Sequence, residues 1–512
     1  MKPDPQPGDP SPAPLDGYYA ECAYVPTWQA ELAPAWLDHV ALWAGLAAPR
    51  AEPGAPFRYL EVGCGLGWTL NLLAAANPEG QFVGIDAMGE QIAQARAVAR
   101  AAGLTNVRFV HATLEQVRSR RFPRFHYLVA HGVYTWVSDH NASLLFELAA
   151  RVLIPGGLCY LGYNVEPGWS ALRPAQQLLF TAMRDQHASH TGAAIDAARA
   201  LVRQVRDLSN TRLGLAEHGS ELLDRLLDMP SAYLGHEFLN AHWRPVFVTE
   251  AHARARQAAL DYVGSARLAL RYDDYLLRRA QRALLAAQPP GTQRELVKDS
   301  CLGQMLRTDV FVKGGHSLSL RAQRDQRAHA TFALSVAPPH VHYDVQTPAG
   351  RLRFDRPAVR VLVQALASGP CRVTDVARRV PRHGCSLSAL LAALDLLLFS
   401  GAIMPVDPRK AAPRATAMNA LLRAGAGTGT NPASSGMAPQ VGRHGTALRV
   451  AAIELLLLTH RGARPPGLRV ARALLAARGL DAGQAEAGAQ DLRACLRLWP
   501  TRQRWLRGFG VA

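Results

Sequence analysis

The sequence predicts an α/β fold in its first third, a mostly helical middle region, and a smaller unit of three helices and a strand near residue 400. Three observations carry that prediction. Short apolar runs alternate with helix-patterned stretches between residues 57 and 164. A glycine-rich turn joins the first strand of that alternation to its first helix. After Trp169 the alternation stops and helical periodicity takes over. Strands and helices taking turns at this spacing specify a parallel sheet covered on both faces.

The elements follow in order. MKPDPQPGDPSPAPLDG places six prolines within 14 residues, so residues 1–14 are expected to form a disordered tail rather than a secretory signal. From Pro34, the spacing of Trp36, Leu37, Val40, Leu42 and Trp43 predicts a helix, and AEPGAP (51–56) ends it. FRYLEVG (57–63), QFVGID (81–86), VRFVHA (107–112), HYLVAHG (126–132) and LCYLGYN (158–164) read as strands. WTLNLLAAAN (68–77), EQIAQARAVARAAG (90–103) and SLLFELAARVL (143–153) read as the helices between them. Residues 170–229 read as a helical connector, with Leu201, Val202, Val205 and Leu208 on one face. Residues 230–315 mix helices with extended pieces (RPVFVTE, LDYVGSARL, RTDVFVKGG). Residues 345–406 show three helices and then the strand AIMPV, a winged-helix order. An Ala/Gly/Pro/Ser/Thr-rich linker is expected over 407–445, and a helical segment over 446–512.

Composition bounds the function classes. A chain of 512 residues exceeds one ordinary domain. No apolar run is long enough for a membrane span. The seven cysteines are scattered and none forms a C-x-x-C pair, so neither a disulfide framework nor a zinc site is expected and the cytoplasm is the expected compartment. His187 with His190 and His340 with His342 lack the nearby carboxylate or thiol that a metal ion needs. Residues 351–512 hold 24 basic against 8 acidic residues, whereas residues 1–350 hold 33 against 32. That asymmetry suits an acidic partner. It also suits genome bias, since 53 of the 57 basic residues are arginine.

The stretch YLEVGCGLGWTLNLLAAANPEGQFVGID carries the chemistry. Glu61, Gly63, Gly65 and Gly67 form E-x-G-x-G-x-G at a strand-to-helix turn, and Asp86 lies 19 residues beyond Gly67 at the end of the next strand. Glycines let backbone approach a flat ligand, and an acid at that strand end can accept both hydroxyls of a ribose. A dinucleotide site requires G-x-G-x-x-G, but the third position is Trp68 or Leu70, depending on where the count begins. S-adenosylmethionine has no pyrophosphate and carries an ammonium and a sulfonium, which the Glu61 charge suits. The spacing therefore favours a methyl donor, with a merely tight turn as the alternative.

With these residues in view, the first 165 residues resemble a class I S-adenosylmethionine-dependent methyltransferase, which implies a Rossmann-like sheet. AHGVYTWV (130–137) and YNVEPGW (163–169), together with SAYLGHEFLNAHWRPVFVTE (231–250), LDYVGSARL and RTDVFVKGG, are similar to a bacterial group. Its members carry a methyltransferase regulatory domain and include outer-membrane-protein lysine methyltransferases. The resemblance implies S-adenosylmethionine as cofactor and, for some members, protein lysine as acceptor. It places Glu61, Gly63, Gly65 and Gly67 in the glycine loop, Asp86 at the ribose, Thr113 and Leu114 beside the adenine, and His131 near the methionine portion. Thr113 stands where an acid is usual, and His126 replaces an acid before the fourth strand.

An acceptor enters an open α/β sheet beyond the carboxyl ends of its strands. Tyr134, Trp136, Asn164 and Trp169 follow the fourth and fifth strands, and Tyr134 and Asn164 are the expected acceptor-side groups; packing is the equal alternative. Nucleobase methylation is disfavoured, because His131-Gly132-Val133-Tyr134 replaces the usual Asn/Asp-Pro-Pro-aromatic run. Glu166 beside Pro167-Gly168 reads as a turn residue first and a base second. Arg372, Arg378, Arg379 and Arg382 make a basic surface, yet the helix LSALLAALDLLLFSG is apolar nearly all round and so buried. The unit at 345–406 therefore reads as a substrate-docking or dimerising module rather than a nucleic-acid reader. The expected function is methylation of a protein, with lysine as the expected acceptor; the alternatives are small-molecule N- or O-methylation, or a nucleic-acid- or partner-binding protein that uses the basic C-terminal region.

Overall fold

The computed structural model describes residues 17–18, 28–50, 52–185, 192–209, 217–229, 231–380, 385–407, 415, 417–419, 437–441 and 447–451. The tail expected over 1–14 lies outside them, as do His187, His190 and Arg382.

The chain opens with α1 (Pro34–Trp43), then β1 (Phe57–Val62), α2 (Trp68–Ala76), β2 (Gly80–Asp86), α3 (Gly89–Ala101), β3 (Val107–His111), α4 (Leu114–Arg118), β4 (Phe125–His131), α5 (Asp139–Val152) and β5 (Leu153–Asn164). These β-strands are parallel neighbours in the order β3-β2-β1-β4-β5. Five of the six residues of β1 are buried, as a strand with helices on both faces requires. Helix α2 is buried along its whole length, which its apolar run Leu70–Ala76, interrupted only by Asn71, allows. The amide nitrogen of Asn71 donates to Ala95 O (3.1 Å), which gives that donor a partner within the core.

Next come α6 (Arg173–Asp185), α7 (Gly192–Leu208), α8 (Glu217–Leu227), α9 (Ser231–Phe238), α10 (Val248–Gln257), β6 (Asp261–Ser265), α11 (Asp273–Leu276), α12 (Arg279–Ala286), α13 (Thr292–Leu302) and β7 (Leu306–Val312). Here the sheet departs from the all-parallel expectation. Strand β7 pairs antiparallel with β5, from Asn164↔Leu306 to Leu158↔Val312, and β6 pairs antiparallel with β7. The sheet thus has seven strands in the order β3-β2-β1-β4-β5-β7-β6. The extended pieces LDYVGSARL and RTDVFVKGG supply its last two strands, so the sheet continues well beyond residue 169. The helices α6–α10 are an insertion between β5 and β6. Two local expectations also change. RPVFVTE is extended only as far as Phe247, with Val246 bridging to Val165, before α10 begins. On α7, Val202 is fully buried, but Leu208 is 84% exposed and Ile195 and Ala198 fill the core instead.

The remainder comprises α14 (Leu320–His329), β8 (Thr331–Leu334), β9 (Asp344–Thr347), β10 (Gly350–Arg353), α15 (Pro357–Ala367), β11 (Cys371–Arg372), α16 (Val373–Arg379), α17 (Leu387–Phe399) and β12 (Ile403–Val406). The three helices and final strand stand in the expected order. Their sheet, however, is β11-β8-β12, with its middle strand drawn from ahead of the first helix. Helix α17 is buried, as its composition requires. This unit shares one apolar core with α1, α2 and one face of the large sheet. A buried ion pair, Arg50 Nη1 to Asp407 (2.8 Å), joins the two. The strands β13 (Met437–Val441) and β14 (Ala447–Ala451) pair antiparallel. Residues 437–441 and 447–451 are thus extended where the sequence predicts linker and helix, while 452–512, most of the helical segment expected over 446–512, and most of 408–436 lie outside the described residues. Among the described residues no helix is long and apolar enough to cross a membrane.

Candidate functional site

The site begins at the turn after β1. Gly63, Gly65 and Gly67 have φ of +69°, +52° and +67°, so the turn depends on their lack of side chains. A Cβ on Gly67 would lie 2.6 Å from Ala95 Cβ and 2.7 Å from the Phe109 ring. Gly67 thus admits α3 and β3 against the turn rather than a ligand. A Cβ on Gly65 would stand 3.3 Å from Gln91 Oε1, at the edge of the open side.

Asp86 ends β2 and fixes this turn. Its two oxygens accept from the backbone N–H of Gly65 (2.8 Å) and of Met88 (2.9 Å). Burial raises its carboxyl, and those two N–H groups work against the rise. Glu61 lies one strand away and is 6% exposed. Burial first, and the neighbouring Asp86 second, push its carboxyl up to about 8. Its Oε2 is buried and accepts no hydrogen bond. A buried carboxylate oxygen without a donor is costly unless a cation or donor arrives from outside.

Thr113 and Leu114 follow β3. The Thr113 hydroxyl accepts from Gln116 N (3.3 Å) while its own N–H donates to Gln116 Oε1 (2.9 Å), so its side chain starts α4 as a capping box. Leu114 is half-buried against the core. His131 ends β4, and its Nδ1 lies 2.9 Å from the Tyr160 hydroxyl, which donates to Glu31 (3.1 Å). Burial, then Arg267, pulls its imidazole down to about 4, so it is neutral at physiological pH. Gly162 makes room for that ring, since a Cβ there would lie 2.3 Å from His131 Nδ1. Glu31 and Tyr160 escaped the sequence reading; the unusual Gly162 opposite His131 was the available signal.

The expected acceptor-side residues divide. Tyr134 is 2% exposed and packs edge-on against Phe146 and Tyr163. Its hydroxyl reaches only Glu250, at 3.5 Å, and Tyr134 is a core residue by its contacts. Trp169 is likewise core, donating to Met305 O (2.9 Å). Glu166 accepts from Ser170 Oγ, which suits the turn reading. Asn164 differs. Its backbone N–H donates to Thr135 Oγ1 (3.2 Å), and its amide donates to Glu237 Oε1 (2.7 Å) on α9.

Residues 60–157 match the family model described as a methyltransferase domain, and residues 230–313 match that described as a predicted methyltransferase regulatory domain. This is a class I S-adenosylmethionine-dependent methyltransferase. A protein of Synechocystis sp. with no assigned function is 28% identical over 393 residues, 76% of each chain. A tRNA (guanine-N(7)-)-methyltransferase of Chloroflexus aurantiacus is 34% identical over 25% of this chain and 61% of its own. The solved structure of PKMT2 from Rickettsia typhi, in complex with AdoHcy, is similar across 94% of this chain and 99% of its own, with a TM-score of 0.67 and 17% identity.

The residues present fit the cofactor of this methyltransferase. When bound, S-adenosylmethionine supplies an electrophilic methyl group on a positively charged sulfur. Of the three glycines Gly65 has the most space beside it, since a Cβ on Gly63 would meet Val133 at 2.3 Å and one on Gly67 would meet Ala95 and Phe109, and the unpartnered Glu61 oxygen offers the charge that the donor's cations require. Asp86 keeps the turn shaped.

Proposed function

We propose that this methyltransferase modifies lysine side chains of protein substrates. In this reading Glu61, Gly63 and Gly65 receive the methionine portion of the donor with His131 nearby, Asp86 meets the ribose, Thr113 and Leu114 border the adenine, and Asn164 stands on the acceptor side. The supporting observation is the shared architecture with PKMT2, a protein lysine methyltransferase, through nearly the whole of both chains. A likeness that includes the helical insertion and the C-terminal unit extends past the donor-binding half that methyltransferases of many substrates hold in common. The unit at 345–406, read as winged-helix-like, serves substrate docking. Its long helix is buried and so offers no base-reading face, and Arg378 on α16 is paired with Asp375 (2.9 Å). The free thiols among the described cysteines suit a reducing cytoplasm.

The test is incubation with cell lysate and donor carrying a tritiated methyl group. Methyl-lysine is expected among the acid-hydrolysed protein residues, and Gly65→Arg is expected to abolish it by filling the turn. Label confined to small molecules or to nucleic acid overturns the reading.

A further inference from the structure

A second buried carboxylate meets Asn164, at the end of β5, from an element outside the methyltransferase-domain match. Glu237 lies on α9, within the segment matched only as a regulatory domain, and is 5% exposed. Among the described residues it has no cationic partner. The polar groups acting on it are the Asn164 amide at the end of β5 and the indole of Trp243. On its own helix, Tyr233 is half-buried beside it, and His236 is engaged with the Tyr18 hydroxyl (3.3 Å). The nearby guanidinium of Arg244 is committed to Glu250, at 2.8 and 2.9 Å. The surroundings are an apolar cluster that includes Trp136, Trp169, Phe238 and Trp243.

A carboxylate serving only to hold Asn164 needs no charge, since a glutamine oxygen accepts the same bond. Burying the charge without a cation costs stability. The arrangement makes sense when a cation arrives from outside, between Asn164 and the aromatic rings. We infer that Glu237 seats the ammonium of the acceptor lysine and takes its proton, so that the segment matched as regulatory supplies part of the acceptor site. The inference rests on the lysine reading above. In the step, one ammonium N–H bond breaks, the proton joins a Glu237 oxygen, and the electron pair stays on nitrogen as the lone pair that methyl transfer requires. Acid and amine both end neutral, which an apolar pocket favours. Burial, offset in part by Asn164, already holds the Glu237 carboxyl up at about 7, where it can accept a proton near neutral pH.

The test compares wild type with Glu237→Gln, using tritiated donor and lysate protein, read as methyl-lysine, beside calorimetric donor binding. Methyl-lysine formation is expected to fall by about a hundredfold or more, with donor affinity within about twofold of wild type. The wild-type rate is expected to rise with pH through about 7 at fixed, saturating donor. Equal methylation by wild type and variant overturns this inference alone, whereas a wild type that methylates no protein overturns the lysine reading and this inference with it. If Glu237→Gln does not fold by circular dichroism, the wild-type profile decides: a rise near 7 supports the assignment, and a rate flat from pH 6 to 8 overturns it.

Discussion

Two regions of this molecule bury carboxylates, and they treat them in opposite ways. Under β6 and β7, Arg307 lies at the centre of a network. It reaches Asp309 (2.9 Å), Asp299 (2.7 Å) and Glu295 (2.7 Å), while Tyr163 and His252 also meet Asp309. Burial pushes Asp309 up, but Arg307 and His252 outweigh it and hold the carboxyl down at about 2. At the carboxyl ends of β1 and β5 no such cation stands among the described residues: Glu61 sits at about 8 and Glu237 at about 7, both raised chiefly by burial. Equal burial with unequal pairing separates a network that holds the fold from acids that, in the proposed reading, await a charged ligand. Asp299 marks the edge of the distinction. Burial and its acidic neighbours outweigh the help of Arg307 and raise it to about 7, and its Oδ2 has no partner.

The largest expected effect lies on the paired side. Arg307→Ala leaves three acids without their shared cation, two of them fully buried, and is expected to cost about 3–5 kcal/mol of stability. Denaturant unfolding measures it. Glu237→Gln, measured alongside, is expected to leave stability unchanged or raise it. If both variants destabilise equally, the distinction between the two regions fails.

Glu61 sharpens the same contrast on the ligand side. If Glu61 meets the donor's cations as proposed, Glu61→Gln is expected to weaken S-adenosylmethionine binding by roughly ten- to a hundredfold, about 1.4–2.8 kcal/mol. The wild-type affinity should tighten as pH rises towards about 8, because the free protein's Glu61 must lose its proton to pair with the cation. Titration calorimetry from pH 6 to 9 checks this. An affinity that does not change with pH, in wild type and variant alike, would show that Glu61 does not contact the charge.

Part of this was legible in the residues alone. The glycine turn, Asp86 and the first five strands are local patterns, written within 110 consecutive residues, and their geometry follows from spacing. The last two strands were visible as extended pieces, but their place was not, because pairing β7 with β5 joins residues some 150 positions apart and no periodicity encodes a partner. Glu237 was hidden for the same reason: on α9 it reads as one acid among helix-formers, and only the fold brings it to Asn164. Tyr134 shows the reverse limit. Its position after β4 is where acceptor groups belong, yet a ring of that size flanked by Phe146 and Tyr163 is held more strongly by packing. The capping role of Thr113 was readable, since Thr113 and Gln116 form a capping-box spacing, but the site reading took precedence over it.

The smallest expected effect is a difference in how stability depends on pH. An acid whose carboxyl is raised on folding contributes stability in full below its unfolded value, near 4.5, and loses it as pH rises through the folded value. For Glu237 that window runs from about 4.5 to 7, and for Glu61 from about 4.5 to 8. Other groups also titrate there, Asp299 among them, so the informative quantity is wild type minus variant. Thermal melting is expected to show the Glu61→Gln, Glu237→Gln double variant gaining on wild type between pH 5 and 8, by on the order of 2 kcal/mol per residue. Saturating S-adenosylmethionine should shrink the Glu61 share, because a bound cation lowers that carboxyl, and leave the Glu237 share in place. A donor that erases both shares equally would mean that one ligand answers both acids, and the separation of donor and acceptor carboxylates would have to be abandoned.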